Sequence, residues 1–249
     1  MRNQQHLLHF ITAPKGGVSQ GSSGTDVPAF VNEKMCKEVL KNTTGNILEC
    51  GCGDGSTLMI RDHIRGTTRK LVSLESNLEW LNKYTYLADD QHLLQHVDAD
   101  NEDCYETGYK WVDHIEANNL TNFEVVFLDS SPWLSRKCCF DYFINNAKII
   151  IIHDFDYFPN NDIIGKTILR TYVDDKEKIE CDLTDVVKNY KLFYPPYKHW
   201  VGTTGPPTLV CSNIMDPEEF DDLIRVIQSN EASYYMVDQR WTFKEGLRS

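Results

Sequence analysis

From residue 28 onward the apolar positions fall into short blocks of two alternating kinds. Phe30, Val31, Met35, Val39 and Leu40 recur at helical spacing up to Lys41, with Pro28 near the start, and predict a helix. The block 46–50, N-I-L-E-C, is short, nearly continuous in its apolar residues, and predicts a strand. The alternation then repeats. A helix is predicted over 56–65, a strand over 70–75 (K-L-V-S-L-E), and a helix over 77–87 with Leu78, Leu81 and aromatic residues on one side. A shorter strand follows over 93–97 and a helix over 112–120. Residues 123–128, F-E-V-V-F-L, form the strongest central strand and close on Asp129. A helix over 134–147 leads to four consecutive isoleucines at 149–152, the mark of a strand buried on both faces.

Beyond residue 152 the pattern changes. A helix is predicted over 163–172, and two strands over 190–194 and 208–212, joined by the excursion Y-P-P-Y-K-H-W-V-G-T-T-G-P-P. Residues 217–228 read as an amphipathic helix with Asp216 as its N-cap. Residues 1–28, with G-G-V-S-Q-G-S-S-G-T, form a flexible arm by composition. Residues 29–230 form one domain and 231–249 a tail. Strands alternating with helices imply an α/β fold with a mostly parallel sheet and right-handed crossovers; the late strand pair adds an antiparallel edge.

Composition narrows the function. The 249 residues are 41% hydrophobic and 25% charged, ordinary for a globular α/β domain. A formal net charge of −12 disfavours a nucleic acid partner, because phosphates attract basic surfaces. The eight cysteines contain no C-x-x-C pair, which argues against a zinc ribbon. Together with the lack of a signal-like leader, they fit a reduced, cytoplasmic setting. No apolar run approaches the ~20 residues of a membrane span.

The candidate chemistry gathers at the strand ends. Glu49 is followed by Gly51, Gly53 and Gly55, and Ser56 opens a helix. A strand, a tight glycine turn and a helix N-terminus form a ligand-binding place in open α/β sheets. Other strand ends carry Glu75-Ser76, Asp98 and Asp100, Asp129, and His153-Asp154. In a parallel sheet all of these lie on one edge. The dinucleotide fingerprint G-x-G-x-x-G is not met, because Ser56 stands where its third glycine belongs, and there is no G-K-[ST] for a nucleoside triphosphate.

The pattern E-C-G-C-G-D-G-S resembles the E/D-x-G-x-G-x-G loop of class I S-adenosylmethionine (SAM) dependent methyltransferases. The order of elements over 28–213 resembles their Rossmann-like seven-stranded fold, with helices on both faces. The resemblance implies that Glu49, Gly51, Gly53, Asp54, Gly55 and Ser56 surround the methionine part of SAM. It implies that Glu75, with Ser76 beside it, accepts the ribose hydroxyls. Asp98 or Asp100 would meet adenine, and Asp129 would touch the cofactor. Metal-dependent sugar and small-molecule O-methyltransferases carry an Asp after the fourth strand and a D-D or D-N pair after the fifth. Here the matching residues are Asp129, His153 and Asp154, with Asp156 two further on. The resemblance thus implies a divalent ion, manganese or magnesium, held by Asp129, His153 and Asp154. His153 departs from the usual acid, which leaves further alternatives: a metal held by Asp154 and Asp129 alone, a metal-free site with His153 as general base, or an H-D pair that only caps the strand.

Tyr194-Pro195-Pro196-Tyr197 resembles the D/N-P-P-Y motif of amino-group and DNA methyltransferases, but it lies far beyond the fourth strand, where that motif belongs. With the acidic charge this argues against a nucleic acid substrate. Trp133, Tyr194, Tyr197, His199 and Trp200 are candidates for a substrate wall, since aromatic faces pack on sugars; a packed hairpin is the structural alternative. There is also a faint likeness to glycan-decorating methyltransferases of bacteria and large DNA viruses. The expectation is therefore metal-assisted O-methylation of a sugar or glycan hydroxyl, with a metal-free small-molecule methyltransferase that uses His153 as base as the alternative within the class. A nicotinamide oxidoreductase and a non-catalytic Rossmann-like module stand as alternatives.

Overall fold

The computed structural model describes residues 33–102, 104–153, 168–173, 176–182, 187–193 and 208–231. Helix α1 (Glu33–Lys41) leads into β1 (Ile47–Cys50), α2 (Ser56–Ile64), β2 (Leu71–Glu75), α3 (Leu78–Asn82), a 3-10 turn (Thr85–Leu87) and β3 (His92–His96). Then follow α4 (Tyr105–Ala117), β4 (Val125–Leu128), α5 (Trp133–Phe143), β5 (Ile149–Ile152), β6 (Ile168–Val173), β7 (Lys176–Asp182), β8 (Asn189–Phe193), β9 (Thr208–Ser212) and α6 (Pro217–Glu231).

Seven strands form one sheet in the order β3-β2-β1-β4-β5-β9-β8. Strands β1 to β5 pair in parallel; β9 runs antiparallel to both β5 and β8. The α/β fold with a mostly parallel seven-stranded sheet is therefore as the sequence predicted. The late hairpin adds the expected antiparallel edge, with β9 beside β5 and β8 outermost.

The strands alternate with period two, and each face buries its own core. Leu48, Cys50, Val126, Leu128, Ile150 and Ile152 pack with Trp111 and Ile115 of α4 and Phe140 and Phe143 of α5. Ile47, Val125, Phe127, Ile149 and Ile151 pack on the other face, with Met35 and Val39 of α1, Ile60 and Ile64 of α2, and Leu223 and Ile227 of α6. Each such side chain contributes about 1.5–3 kcal/mol by leaving water, which is why continuous apolar runs settle at the sheet centre.

Three predicted elements change. The helix over 163–172 is replaced, in its described part, by β6, which pairs antiparallel with β7 in a separate two-stranded sheet. Thr171, Tyr172 and Val173 are β-branched or aromatic and fit a pleated surface better than a helix. Helix α4 starts seven residues earlier than predicted, because Gly108 hid its first turn. That glycine lies where α4 meets α5: a Cβ there would stand 2.5 Å from Cys138 Sγ and 2.9 Å from the Leu134 carbonyl oxygen. The helix over 77–87 breaks into α3, capped by Asn77 Oδ1 accepting from Trp80 N–H at 2.9 Å, and the 3-10 turn. At the other end, Asp216 Oδ1 accepts from Glu218 N–H at 2.9 Å, as predicted for the start of α6. Among the described residues no helix is long and apolar enough to cross a membrane.

Candidate active site

The sheet order places β1 between β2 and β4, so the chain reverses direction across the sheet there. In such folds the crevice beyond the strand ends at this point receives ligands. Register brings the predicted residues level. Cys50 pairs with Leu74 and with Leu128, and Leu128 pairs with Ile152. Gly51, Glu75, Asp129 and His153 therefore sit side by side on one rim.

Gly51 is required here. Its φ is +96°, and a Cβ would stand 2.5 Å from the Asp129 carbonyl oxygen. Gly55 is the N-cap of α2 and supplies no side-chain hydrogen bond. The first backbone N–H groups of α2 are thus left without a side-chain cap, the arrangement that favours the negative part of a ligand.

The turn is clamped from the β2 side. Glu75 Oε2 accepts from Cys52 N–H at 3.0 Å and Oε1 from Asn77 N–H at 2.8 Å. Burial raises the Glu75 pKa, and the backbone N–H groups of Asn77, Cys52 and Ser76 pull against it. Trp80 Nε1 donates to the Cys52 carbonyl at 2.7 Å, and Tyr84 donates to Asp54 Oδ1 at 2.8 Å. The sequence showed these aromatics only as one side of a helix; their polar tips tie the glycine turn. The Ser76 carbonyl meets His96 Nε2 at 2.8 Å.

Glu49 departs from the expectation of a rim acid. Its side chain points into the protein and is 0% exposed. Thr57 Oγ1 lies 3.1 and 3.0 Å from its two oxygens, and Ser73 donates to Oε2 at 2.6 Å. Thr57 in turn accepts from Gly53 N–H at 2.9 Å, and Ser73 meets the buried His92 Nε2 at 2.9 Å. Burial pushes Glu49 up to about 7 even though Ser73, Ser56 and Thr57 pull it down. Ser56 is likewise buried, at 2% exposure. Glu49 holds the turn from beneath instead of meeting a ligand.

The structure separates Asp98 from Asp100. Asp100 accepts from Glu102 N–H at 3.1 Å, Thr107 Oγ1 at 2.6 Å and Lys110 Nζ at 3.2 Å, which anchors the start of α4. The Thr107 hydroxyl, the Glu102 N–H and Lys110 hold its carboxyl at about 2. Asp98 keeps an exposed carboxylate just past β3.

Across the rim, Asp129 Oδ1 lies 3.2 Å from His153 Nδ1 and 2.9 Å from Arg136 Nη2. Burial raises the Asp129 pKa, but His153 and Arg136 outweigh it and hold the carboxyl below its ordinary value. Arg136 also donates from Nε to the Ser130 carbonyl at 2.7 Å and from Nη1 to the His153 carbonyl at 2.6 Å. Sequence reading missed Arg136, since one arginine in a mixed helix reads as a solvated face. Trp133, expected as substrate wall, is half-buried against the core; its Nε1 is buried without a partner among the described residues. Asp154, Asp156, Tyr194, Tyr197, His199 and Trp200 lie outside the described residues.

Among the described residues, the pair of Asp129 and His153 offers a divalent ion a poor site. Asp129 and His153 already face each other, and a guanidinium neutralises the carboxylate a metal would need. Among the described residues no three His, Cys, Asp or Glu side chains group to hold an ion. Of the expected ligands Asp129, His153 and Asp154, the first two form an Asp–His pair backed by Arg136, and the third lies outside the described residues. The cofactor cradle does fit SAM: a bent glycine turn, a helix start without a side-chain cap, and an acid fixed on the neighbouring strand end.

No protein-family model matches the chain, and no curated protein matches it. Solved structures similar to it include an O-methyltransferase from Bacillus cereus in complex with SAH, at 12% identity and a TM-score of 0.46, covering 86% of this chain and 91% of that one. A Staphylococcus aureus protein assigned as a caffeoyl-CoA O-methyltransferase is 16% identical, with a TM-score of 0.40 over 66% of this chain and 79% of that one. A Listeria monocytogenes protein assigned as a SAM-dependent methyltransferase is 11% identical, with a TM-score of 0.35 over 71% and 97%. Likeness at this level carries no argument about activity, which rests on the site itself.

Proposed function

We propose that this chain is a SAM-dependent methyltransferase that acts on oxygen, at a hydroxyl of a sugar or glycan. The observation that carries the reading is the Gly51–Ser56 turn, open at the start of α2 and held by Glu75 at the point where the sheet order reverses. When bound, SAM supplies a methyl group on a positively charged sulfur. The turn and the first N–H groups of α2 would receive its carboxylate end, Glu75 its ribose hydroxyls, and Asp98 the adenine side. The acid at the end of β2 suits a cationic cofactor, because the Glu75 carboxylate gains from a positive neighbour.

Methyl transfer is an in-line displacement, so alignment supplies most of the acceleration. A hydroxyl acceptor must also lose a proton. With Nδ1 directed at Asp129, His153 presents Nε2 as the proton acceptor, and Asp129 stabilises the imidazolium that forms. No step needs a metal. The aromatic residues Tyr194, Tyr197, His199 and Trp200, with the net charge of −12, support a sugar face over a nucleic acid.

The test is transfer of labelled methyl from SAM to a panel of sugars and oligosaccharides, with and without EDTA. Label on a carbohydrate oxygen, retained in EDTA and reduced about 10²- to 10⁴-fold by His153→Ala, is the expected result. Label on nucleic acid or amine acceptors alone would refute the acceptor class, and activity that EDTA abolishes would refute the metal-free step.

A further inference from the structure

Within this methyltransferase reading, we propose that Arg136 is the resident cation of the acceptor side of the site. It fixes Asp129 against His153 and keeps a divalent metal from Asp129. Arg136 stands one turn into α5, which follows β4, and reaches both strand ends that carry the chemistry. Its Nη2 meets Asp129 Oδ1 at 2.9 Å and its Nε the Ser130 carbonyl at 2.7 Å, both past β4. Its Nη1 meets the His153 carbonyl at 2.6 Å, past β5. The guanidinium is planar with donors in a fixed fork, so contacts to three residues set the spacing of the two strand ends. A lysine, a point charge with no fork, could not make them together.

The same geometry excludes a metal. Any ion bound through Asp129 Oδ1 would stand within a few ångströms of a permanent positive charge in a site where Arg136 is 13% and Asp129 25% exposed. Like charges that close repel strongly where water is scarce. His153 Nδ1 is engaged with the same oxygen at 3.2 Å, so ligation through that nitrogen would break the Asp–His contact. The positive charge a metal-dependent site obtains from an ion is here supplied by the chain.

The experiment is a manganese titration followed by electron paramagnetic resonance, in the presence of S-adenosylhomocysteine, on wild type, Asp129→Asn, Arg136→Met and the double variant. Wild type and Asp129→Asn are expected to agree within about twofold in manganese affinity. Arg136→Met is expected to gain at least tenfold, and the double variant to lose that gain. Tenfold weaker binding in Asp129→Asn than in wild type would overturn the proposal, as would the absence of any gain in a folded Arg136→Met. The first comparison needs no Arg136 variant and decides the matter even where Arg136→Met does not fold. Calorimetric binding of S-adenosylhomocysteine in the same samples reads the cofactor assignment separately. Its failure would sink the methyltransferase reading without touching the manganese result.

Discussion

Replacing Glu49 by glutamine removes a buried charge from beneath the glycine turn and should change how stability depends on pH. The folded carboxyl sits at about 7, raised chiefly by burial, and the side chain is 0% exposed. An unfolded glutamate titrates near ~4.3, so the folded state penalises the ionised form by roughly 4 kcal/mol. The sign follows from proton uptake. Between the two values the Glu49 carboxyl holds more proton in the folded chain than in the unfolded one, so its contribution to stability is fully present below about pH 4 and is lost as pH rises through 7. About 2 kcal/mol of that loss should develop between pH 5 and 8. His92 works the other way. Burial lowers it to about 4, so its contribution is present above its ordinary range and lost as pH falls. The two partly cancel in wild type, and only the difference from Glu49→Gln isolates the carboxyl. Urea unfolding under reducing conditions, followed by the fluorescence of the five tryptophans, measures it at each pH. Glu49→Gln should gain about 2 kcal/mol relative to wild type from pH 5 to pH 8. A wild-type-minus-variant difference that stays constant over that range would refute the buried, raised carboxyl.

Two glycines give sharper structural tests. Gly51→Ala places a side chain at φ +96° and 2.5 Å from a backbone oxygen, so it should cost about 2–3 kcal/mol in urea unfolding and weaken S-adenosylhomocysteine binding as well. Gly108→Ala should destabilise although alanine is the better helix former by about 1 kcal/mol, because the Cβ meets Cys138 Sγ and the Leu134 carbonyl; a rise in melting temperature would contradict the close α4–α5 contact.

What the sequence made legible follows from how local each signal is. The strands β1, β2, β4 and β5 are short apolar runs that end on or just before a polar group, and all were readable. Their polar ends converge because the sheet is parallel, so Gly51, Glu75, Asp129 and His153 could be placed on one rim before any coordinates. Hairpin β6–β7 was missed because K-E-K-I-E-C-D carries few apolar residues to reveal a period of two. Arg136 was missed for a different reason. Two of its carbonyl partners lie six and seventeen residues away, on loops after two different strands, and no spacing within α5 announces them. Glu49 was misplaced because its neighbours at the rim share its register, while the alternation of the strand turns its side chain to the α2 face.

The measurement that bears most directly on the account is calorimetric titration with S-adenosylhomocysteine and, separately, with NAD⁺, both in EDTA. Micromolar binding of S-adenosylhomocysteine, about −8 kcal/mol, with no heat from NAD⁺, is the predicted result. Binding of NAD⁺ in its place, or of neither, would contradict the assignment of the Gly51–Ser56 turn and of Glu75.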